Sequence, residues 1–179
     1  PKTSLIGKKI GCTNKAAQIQ INVNESFFGN MFSNNISKSN TIIYSDKYFR
    51  PFVEPEFSFV MKNELDFSKA PYNADEVYKS ISTVLPSIEL VDSRFEDWTS
   101  IGVNNLIADN AVHAHWVFGT EISNLDLFNF NNHSVNLFIN GKLIEKGNAK
   151  NVMENPINSL TWLINKLAQN SKNLPKNYY

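Results

Sequence analysis

The segment Phe52-Val53-Glu54-Pro55-Glu56-Phe57 places two carboxylates two residues apart inside an apolar and aromatic run. In an extended strand, residues i and i+2 share a face, so Glu54 and Glu56 point the same way. Two like charges held that close repel, and burial sharpens the conflict, so a cation between them or a proton on one of them must relieve it. A third acid, Glu89, is embedded in Pro86-Ser87-Ile88-Glu89-Leu90-Val91. Three carboxylates with no His or Cys beside them in sequence suit a hard, oxygen-seeking cation such as Mg²⁺ or Mn²⁺ rather than zinc. The same residues also fit a plainer arrangement, in which Glu54 and Glu56 line an exposed strand edge and Glu89 pairs with a lysine.

The softer ligands and nucleophiles carry less. His113 and His115 alternate along an apolar segment and have the spacing of a ligand pair, but no third soft ligand lies near them, so structural roles are expected for both. His133 falls in an Asn-rich turn and is expected in solvent. Cys12 has no activating base in its neighbourhood, and no phosphate loop, dinucleotide glycine pattern or nucleophile elbow occurs.

The elements that must carry these residues are mostly strands. Phe57 to Met61 and Ile88 to Val91 read as apolar strands, Ala111 to Phe118 as another ended by Gly119, and Thr41 to Tyr44 as a short one. Asn140-Gly141 supplies the positive φ angles of a type I′ turn between Ser134–Ile139 and Lys142–Glu145, which predicts a hairpin. Asn73 to Val84 reads as a helix, with Asn73 as cap, Asp75 and Glu76 in the first turn, Val77, Ile81 and Val84 on one face, and Pro86 as its stop. A second helix starts at Asn155-Pro156 and buries Ile157, Leu160, Leu163, Ile164 and Leu167. Asn30 to Asn40 reads as a loop, and Asn63 to Tyr72 as a connection. Strands outnumber helices and do not alternate with them, so the expected class is α+β.

Composition bounds the partners. The 179 residues suffice for one domain with a sizeable core, and 42% hydrophobic residues exclude disorder. Seventeen basic residues balance seventeen acidic ones, which leaves no basic footprint for nucleic acid or anionic lipid. No apolar run approaches the roughly 18 residues of a membrane span. A single cysteine excludes an internal disulfide framework and points to a reducing compartment, the cytoplasm. Lys and Asn are abundant while Arg50 and Arg94 are the only arginines, a bias that rarely alters a fold.

The order of motifs is more specific than any one of them. Gly7-Lys8-Lys9-Ile10-Gly11-Cys12-Thr13, Phe27-Phe28-Gly29-Asn30-Met31-Phe32, Val53-Glu54-Pro55-Glu56-Phe57-Ser58, Pro86-Ser87-Ile88-Glu89-Leu90-Val91-Asp92-Ser93-Arg94, Ile107-Ala108-Asp109-Asn110-Ala111 and Asn155-Pro156 with Leu160-Thr161-Trp162-Leu163 follow one another along the chain. Together they resemble the 2-keto-4-pentenoate hydratase and 2-oxo acid decarboxylase branch of the fumarylacetoacetate hydrolase superfamily. The resemblance implies a mixed, rolled β-sheet barrel with flanking helices and a site in its mouth. It implies a divalent ion, Mg²⁺ or Mn²⁺, on Glu54, Glu56 and Glu89, and a substrate-contacting or proton-moving lysine at Lys9. Asn34 stands where relatives often carry an acid–base aspartate; an amide can orient water but does not exchange a proton at ordinary pH. Relatives also extend further at both ends, so residues 1–179 are expected to be a single catalytic domain truncated on both flanks.

The expected chemistry follows from the substrate class. A 2-hydroxydienoate or 2-oxo acid offers adjacent carboxylate and C2 oxygens that chelate one divalent ion, which stabilises negative charge at the C2 oxygen. The leading expectation is a hydro-lyase of aromatic catabolism that adds water to 2-hydroxypenta-2,4-dienoate-like compounds through a metal-bound enolate. Decarboxylation of a 2-oxo diacid and C–C hydrolysis of an acylpyruvate start from the same enolate. A non-catalytic partner or 2-oxo acid binder is the reading from another class. Homo-oligomers, or a complex of decarboxylase with hydratase, are the assemblies that the resemblance implies.

Overall fold

The computed structural model describes residues 3–170. The element order is β1 (Leu5–Gly11), α1 (Lys15–Gln20), β2 (Phe27–Phe32), β3 (Ile36–Lys38), β4 (Pro51–Met61), α2 (Ala74–Lys79), β5 (Ile81–Asp92), α3 (Val103–Ala108), β6 (His113–Phe118), β7 (Ser134–Ile139), β8 (Lys142–Asn148) and α4 (Pro156–Gln169). The class is α+β. The strands form a β1-β2 pair, a four-stranded sheet in the order β3-β6-β5-β4, and a β7-β8 pair. The larger sheet is mixed: β6 runs parallel to β3 and antiparallel to β5. Its edges, β3 and β4, are not joined, so among the described residues the rolled barrel is not closed. No described helix is long and apolar enough to cross a membrane.

Two compact units arise. Among the described residues, the first comprises 3–58 together with Leu85–Glu121, and the second comprises Phe59–Val84 with 122–170. In the first unit, Ile21, Phe27, Val91, Leu106, Ala111 and Val112 form a buried cluster, with Trp98 and Ile101 packed against it. Close approach of β1 and β2 there depends on glycine: a Cβ on Gly11 would lie 2.6 Å from the Phe27 ring. In the second unit, α2 packs on α4, and Val77, Leu163, Ile164 and Leu167 are buried.

Several sequence expectations hold. Asn73 and Glu76 complete a reciprocal capping box on α2. Asn155 caps α4, and Pro156 occupies its first turn. Asn140 (φ 51°) and Gly141 (φ 76°) turn the β7–β8 hairpin. Others are corrected. The expected helix over 73–84 ends at Lys79, and residues 81–84 begin β5, with Pro86 inside the strand. The spacing of Val77, Ile81 and Val84 satisfies a helix face, but Ile81, Thr83 and Val84 are β-branched and are buried equally well in a strand. Thr41–Tyr44 is not a strand, and Ile42 and Tyr44 lie exposed without a partner strand to pair with. The expected loop Asn30–Asn40 contains the end of β2 and all of β3, whose ladder to β6 is invisible from local composition. The two short helices α1 and α3 and the strand β1 are additional to the expected elements.

Candidate metal centre

All the charged groups of this centre belong to the first unit. Ser87 and Glu89 alternate in β5 with the exposed Pro86 and Ile88, so period-2 geometry turns Glu89 inward. Beside it, β4 is held in register by side chains. Ser58 Oγ and Ser87 Oγ are 2.7 Å apart, Trp116 Nε1 donates to Ser58 Oγ at 3.1 Å, and Ser87 Oγ donates to the Glu56 carbonyl at 3.3 Å. The approach to β4 is pinned by Asp92, whose buried carboxylate accepts the backbone N–H of Phe49 at 2.9 Å and of Arg50 at 2.7 Å.

With β4 and β5 locked, Glu54, Glu56 and Glu89 bring one carboxylate oxygen each within 4.8 Å of one another. Glu54 is the most open of them, Glu56 is partly buried and Glu89 is buried. Neither Glu54 nor Glu56 accepts a side-chain hydrogen bond among the described residues. Burial, then the charges of Glu89 and Glu54, push the Glu56 carboxyl up to about 8. Burial and Glu89 also raise Glu54. Glu89 goes the other way: burial works against its charge, but Lys9 and the His113 hydrogen bond outweigh it and lower the pKa.

Lys9 comes from β1, where it pairs with Gly29 of β2. Its ammonium is in contact with Glu89 Oε1 and donates to the Ala111 carbonyl at 3.3 Å. The plainer expectation, Glu89 paired with a lysine, is therefore met, and the pairing coexists with the acid cluster. Asn110 fastens this corner: its amide donates to Asn30 O at 2.8 Å and accepts from Asn30 N at 2.7 Å, as a neighbouring strand would. A Cβ on Gly29 would fall 2.5 Å from Asn110 Oδ1, so only glycine leaves room for that clamp.

His113 Nδ1 lies 2.8 Å from Glu89 Oε1, so the acids do have an imidazole beside them that sequence separation hid. His115 instead faces Ser37 Oγ at 2.9 Å. The two histidines therefore do not form a ligand pair. The Cys12 thiol is pushed up to about 11 by burial and by Glu54, which keeps it protonated and unreactive. Asn34 is exposed in the turn between β2 and β3, and no described hydrogen bond joins it to the acids. Asp92, Asn110 and His113 are the residues that sequence reasoning missed as parts of this site. The signal available for Asp92 was an acid at the end of an apolar strand.

The donor set itself tests whether a metal fits. Three carboxylates crowd together, the carboxylates of Glu54 and Glu56 meet no side-chain donor among the described residues, and the pKa of both is raised. A hard divalent cation removes both the repulsion and the unsatisfied acceptors, and all-oxygen ligation suits Mg²⁺.

No family model matches the chain. It is 32% identical over 165 residues to a 2-hydroxypent-2,4-dienoate hydratase of Pseudomonas putida, covering 92% of this chain and 73% of that one. It is 27% identical over 165 residues to 2-keto-4-pentenoate hydratase 1 of Dechloromonas aromatica (strain RCB), covering 92% of this chain and 62% of that one. Its fold superposes on the 4-oxalocrotonate decarboxylase of Pseudomonas putida G7, solved with magnesium and adipate, with a TM-score of 0.91 at 25% identity. That likeness covers 98% of this chain and 66% of the decarboxylase, so the chain spans about two thirds of the proteins it resembles.

Proposed function

We propose, from the premise that this chain belongs to the hydratase and decarboxylase branch of the fumarylacetoacetate hydrolase superfamily, that it serves a cytoplasmic hydro-lyase of aromatic breakdown. The reaction is addition of water to 2-hydroxypenta-2,4-dienoate-like compounds, giving 4-hydroxy-2-oxo acids. The observation that carries the reading is the convergence of Glu54, Glu56 and Glu89 within 4.8 Å, with the Lys9 ammonium against Glu89.

In this reading the three glutamates hold Mg²⁺ or Mn²⁺, which supplies Lewis acidity toward the C2 oxygen of the substrate. The chain's own residues do the rest. Lys9 draws the substrate carboxylate by charge and holds a proton at Nζ, where its contacts with Glu89 and the Ala111 carbonyl fix its direction. Stabilising developing charge in this way is worth about 3–4 kcal/mol in comparable sites. Asn34 enters through the resemblance alone, as a residue that orients water from the β2–β3 turn. A substrate anion held by a metal and one lysine also agrees with a chain whose net charge is zero. Assembly into homo-oligomers, or with a decarboxylase, belongs to the same proposal.

The test follows the loss of dienol absorbance with purified protein and Mg²⁺ or Mn²⁺, beside an active full-length hydratase. Metal-dependent loss supports the reading, and its absence with the control active refutes it. The likeness to a solved decarboxylase favours one second reading, decarboxylation of a 2-oxo diacid, and CO₂ release distinguishes it. Substrate-analogue binding without turnover, with activity appearing on Asn34→Asp, marks a non-catalytic binder that has lost its acid.

A further inference from the structure

His113 is only 7% exposed. Nδ1 meets Glu89 Oε1 at 2.8 Å, and Nε2 is buried with no hydrogen-bond partner. The backbone on both sides is tied down. His113 N donates to the Asn110 carbonyl at 3.2 Å, and the His113 carbonyl accepts from Arg94 Nη1 at 3.4 Å. Arg94 is itself clamped on Asp109, with Nε donating to Oδ1 at 2.7 Å and Nη2 to Oδ2 at 2.5 Å. The residues entering His113 are left-handed, with φ of 60° at Asn110, 57° at Ala111 and 54° at Val112. Non-glycine residues in that region cost roughly 1–2 kcal/mol each, and a β-branched valine there is an outlier, so the surrounding contacts over-determine the turn. The chain therefore spends local strain on the exact placement of this imidazole and of the Ala111 carbonyl that receives Lys9.

The partners on Glu89 explain what the placement achieves. Both His113 and Lys9 engage the same oxygen, Oε1, and Oε2 carries no hydrogen bond among the described residues. We infer that His113 is a positioning residue of the metal centre, donating from Nδ1–H to Glu89 Oε1 so that Oε2 is the oxygen turned toward the ion. The tautomer follows from satisfaction of hydrogen bonds. A proton on Nε2 would be a buried donor with no acceptor, whereas a bare Nε2 leaves only a weak acceptor unmet. Outer-shell partners of this kind set the direction and basicity of a ligand without touching the metal. The inference rests on the proposed metal role of Glu54, Glu56 and Glu89.

The experiment measures Mn²⁺ binding to the full chain by loss of the free-ion electron paramagnetic resonance signal, with thermal unfolding recorded in parallel. The variants are His113→Asn, His113→Gln and His113→Leu. An Asn amide reaches the position of Nδ1 and a Gln amide that of Nε2. His113→Asn is expected to bind like the native chain, while His113→Gln and His113→Leu weaken binding about 10- to 100-fold. A purely structural role would lower the unfolding temperature of all the variants without separating Asn from Gln. Equal affinities for Asn and Gln, or native affinity in His113→Leu, overturn the inference. If the Leu variant does not fold, the Asn–Gln contrast decides alone. A native chain that binds no Mn²⁺ overturns the metal reading first, and this inference with it. As an independent readout, ¹⁵N spectra of labelled histidine should show His113 protonated at Nδ1 and bare at Nε2, and the reverse pattern would also overturn it.

Discussion

Glu56 carries the sharpest conflict at the scale of single residues. Burial and two neighbouring carboxylates hold its proton up to about 8, and no side-chain hydrogen bond among the described residues offsets the cost of ionising it. Removing the charge should therefore help the metal-free fold and harm the site. We expect Glu56→Gln to stabilise the metal-free chain at pH 8 by on the order of 1 kcal/mol while weakening Mg²⁺ binding, read by chemical unfolding and calorimetry on the same samples. A variant that is less stable without metal would contradict the crowding. The charge of Glu89 is already balanced in place by Lys9, and His113 adds a hydrogen bond to the same oxygen. Glu89→Gln should lose metal affinity without the same gain in stability, since it leaves Lys9 beside an uncharged amide.

Among the elements, β4 and β5 do the positioning, and the contacts that lock them are short-range and local in space. Asp92 alone receives two backbone N–H groups from the chain entering β4. Asp92→Ala orphans both donors, and a loss of about 1–3 kcal/mol is expected, together with weaker metal binding as Glu54 and Glu56 drift. Denaturant titration with and without Mg²⁺ measures both effects. The β1–β2 pair depends on a different device. Gly29→Ala drives a methyl group against Asn110 Oδ1 at 2.5 Å, so the Asn30 clamp must open. That change should cost turnover and substrate affinity together, because it displaces Lys9, which draws the substrate carboxylate and holds a proton, at the strand position paired with Gly29. An unaltered kcat would show that Lys9 does not depend on the clamp.

Across the whole molecule, the raised carboxylates make stability depend on pH and on metal together. Glu54 and Glu56 are raised in the folded chain, so their contribution is present at low pH and is lost as pH climbs through the folded value, about 8 for Glu56. Glu89 is lowered, so its contribution is lost only in acid, below its usual carboxylate range. Between pH 6 and 8 the metal-free chain should therefore grow less stable, while Mg²⁺, which needs ionised ligands, binds better. At about 100-fold excess over its dissociation constant, Mg²⁺ adds about 2.7 kcal/mol, or roughly 5–10 °C in Tm for a chain of this size. The shift should be larger at pH 8 than at pH 6 and vanish with chelator. A shift that shrinks with rising pH would mean the carboxylates are not what the ion binds.

Much of this was legible along the chain, because it depends on neighbours in sequence. Alternation places Glu54 and Glu56 on one face, Asn140-Gly141 requires its hairpin, and Asn155-Pro156 starts α4 wherever the helix packs. The order of motifs carried the family as well. Helix and strand over 77–84 were not separable, since a buried β-branched run satisfies both periods until a partner strand is present. The same limit applies to the centre. Lys9 reaches Glu89 across 80 positions and His113 reaches it across 24, on strands whose register no local pattern encodes. The sequence by itself determined which acids face together. Only the tertiary structure decided which cation and which imidazole share Glu89, because ladder pairing between distant strands is set by the packing of the whole sheet and core.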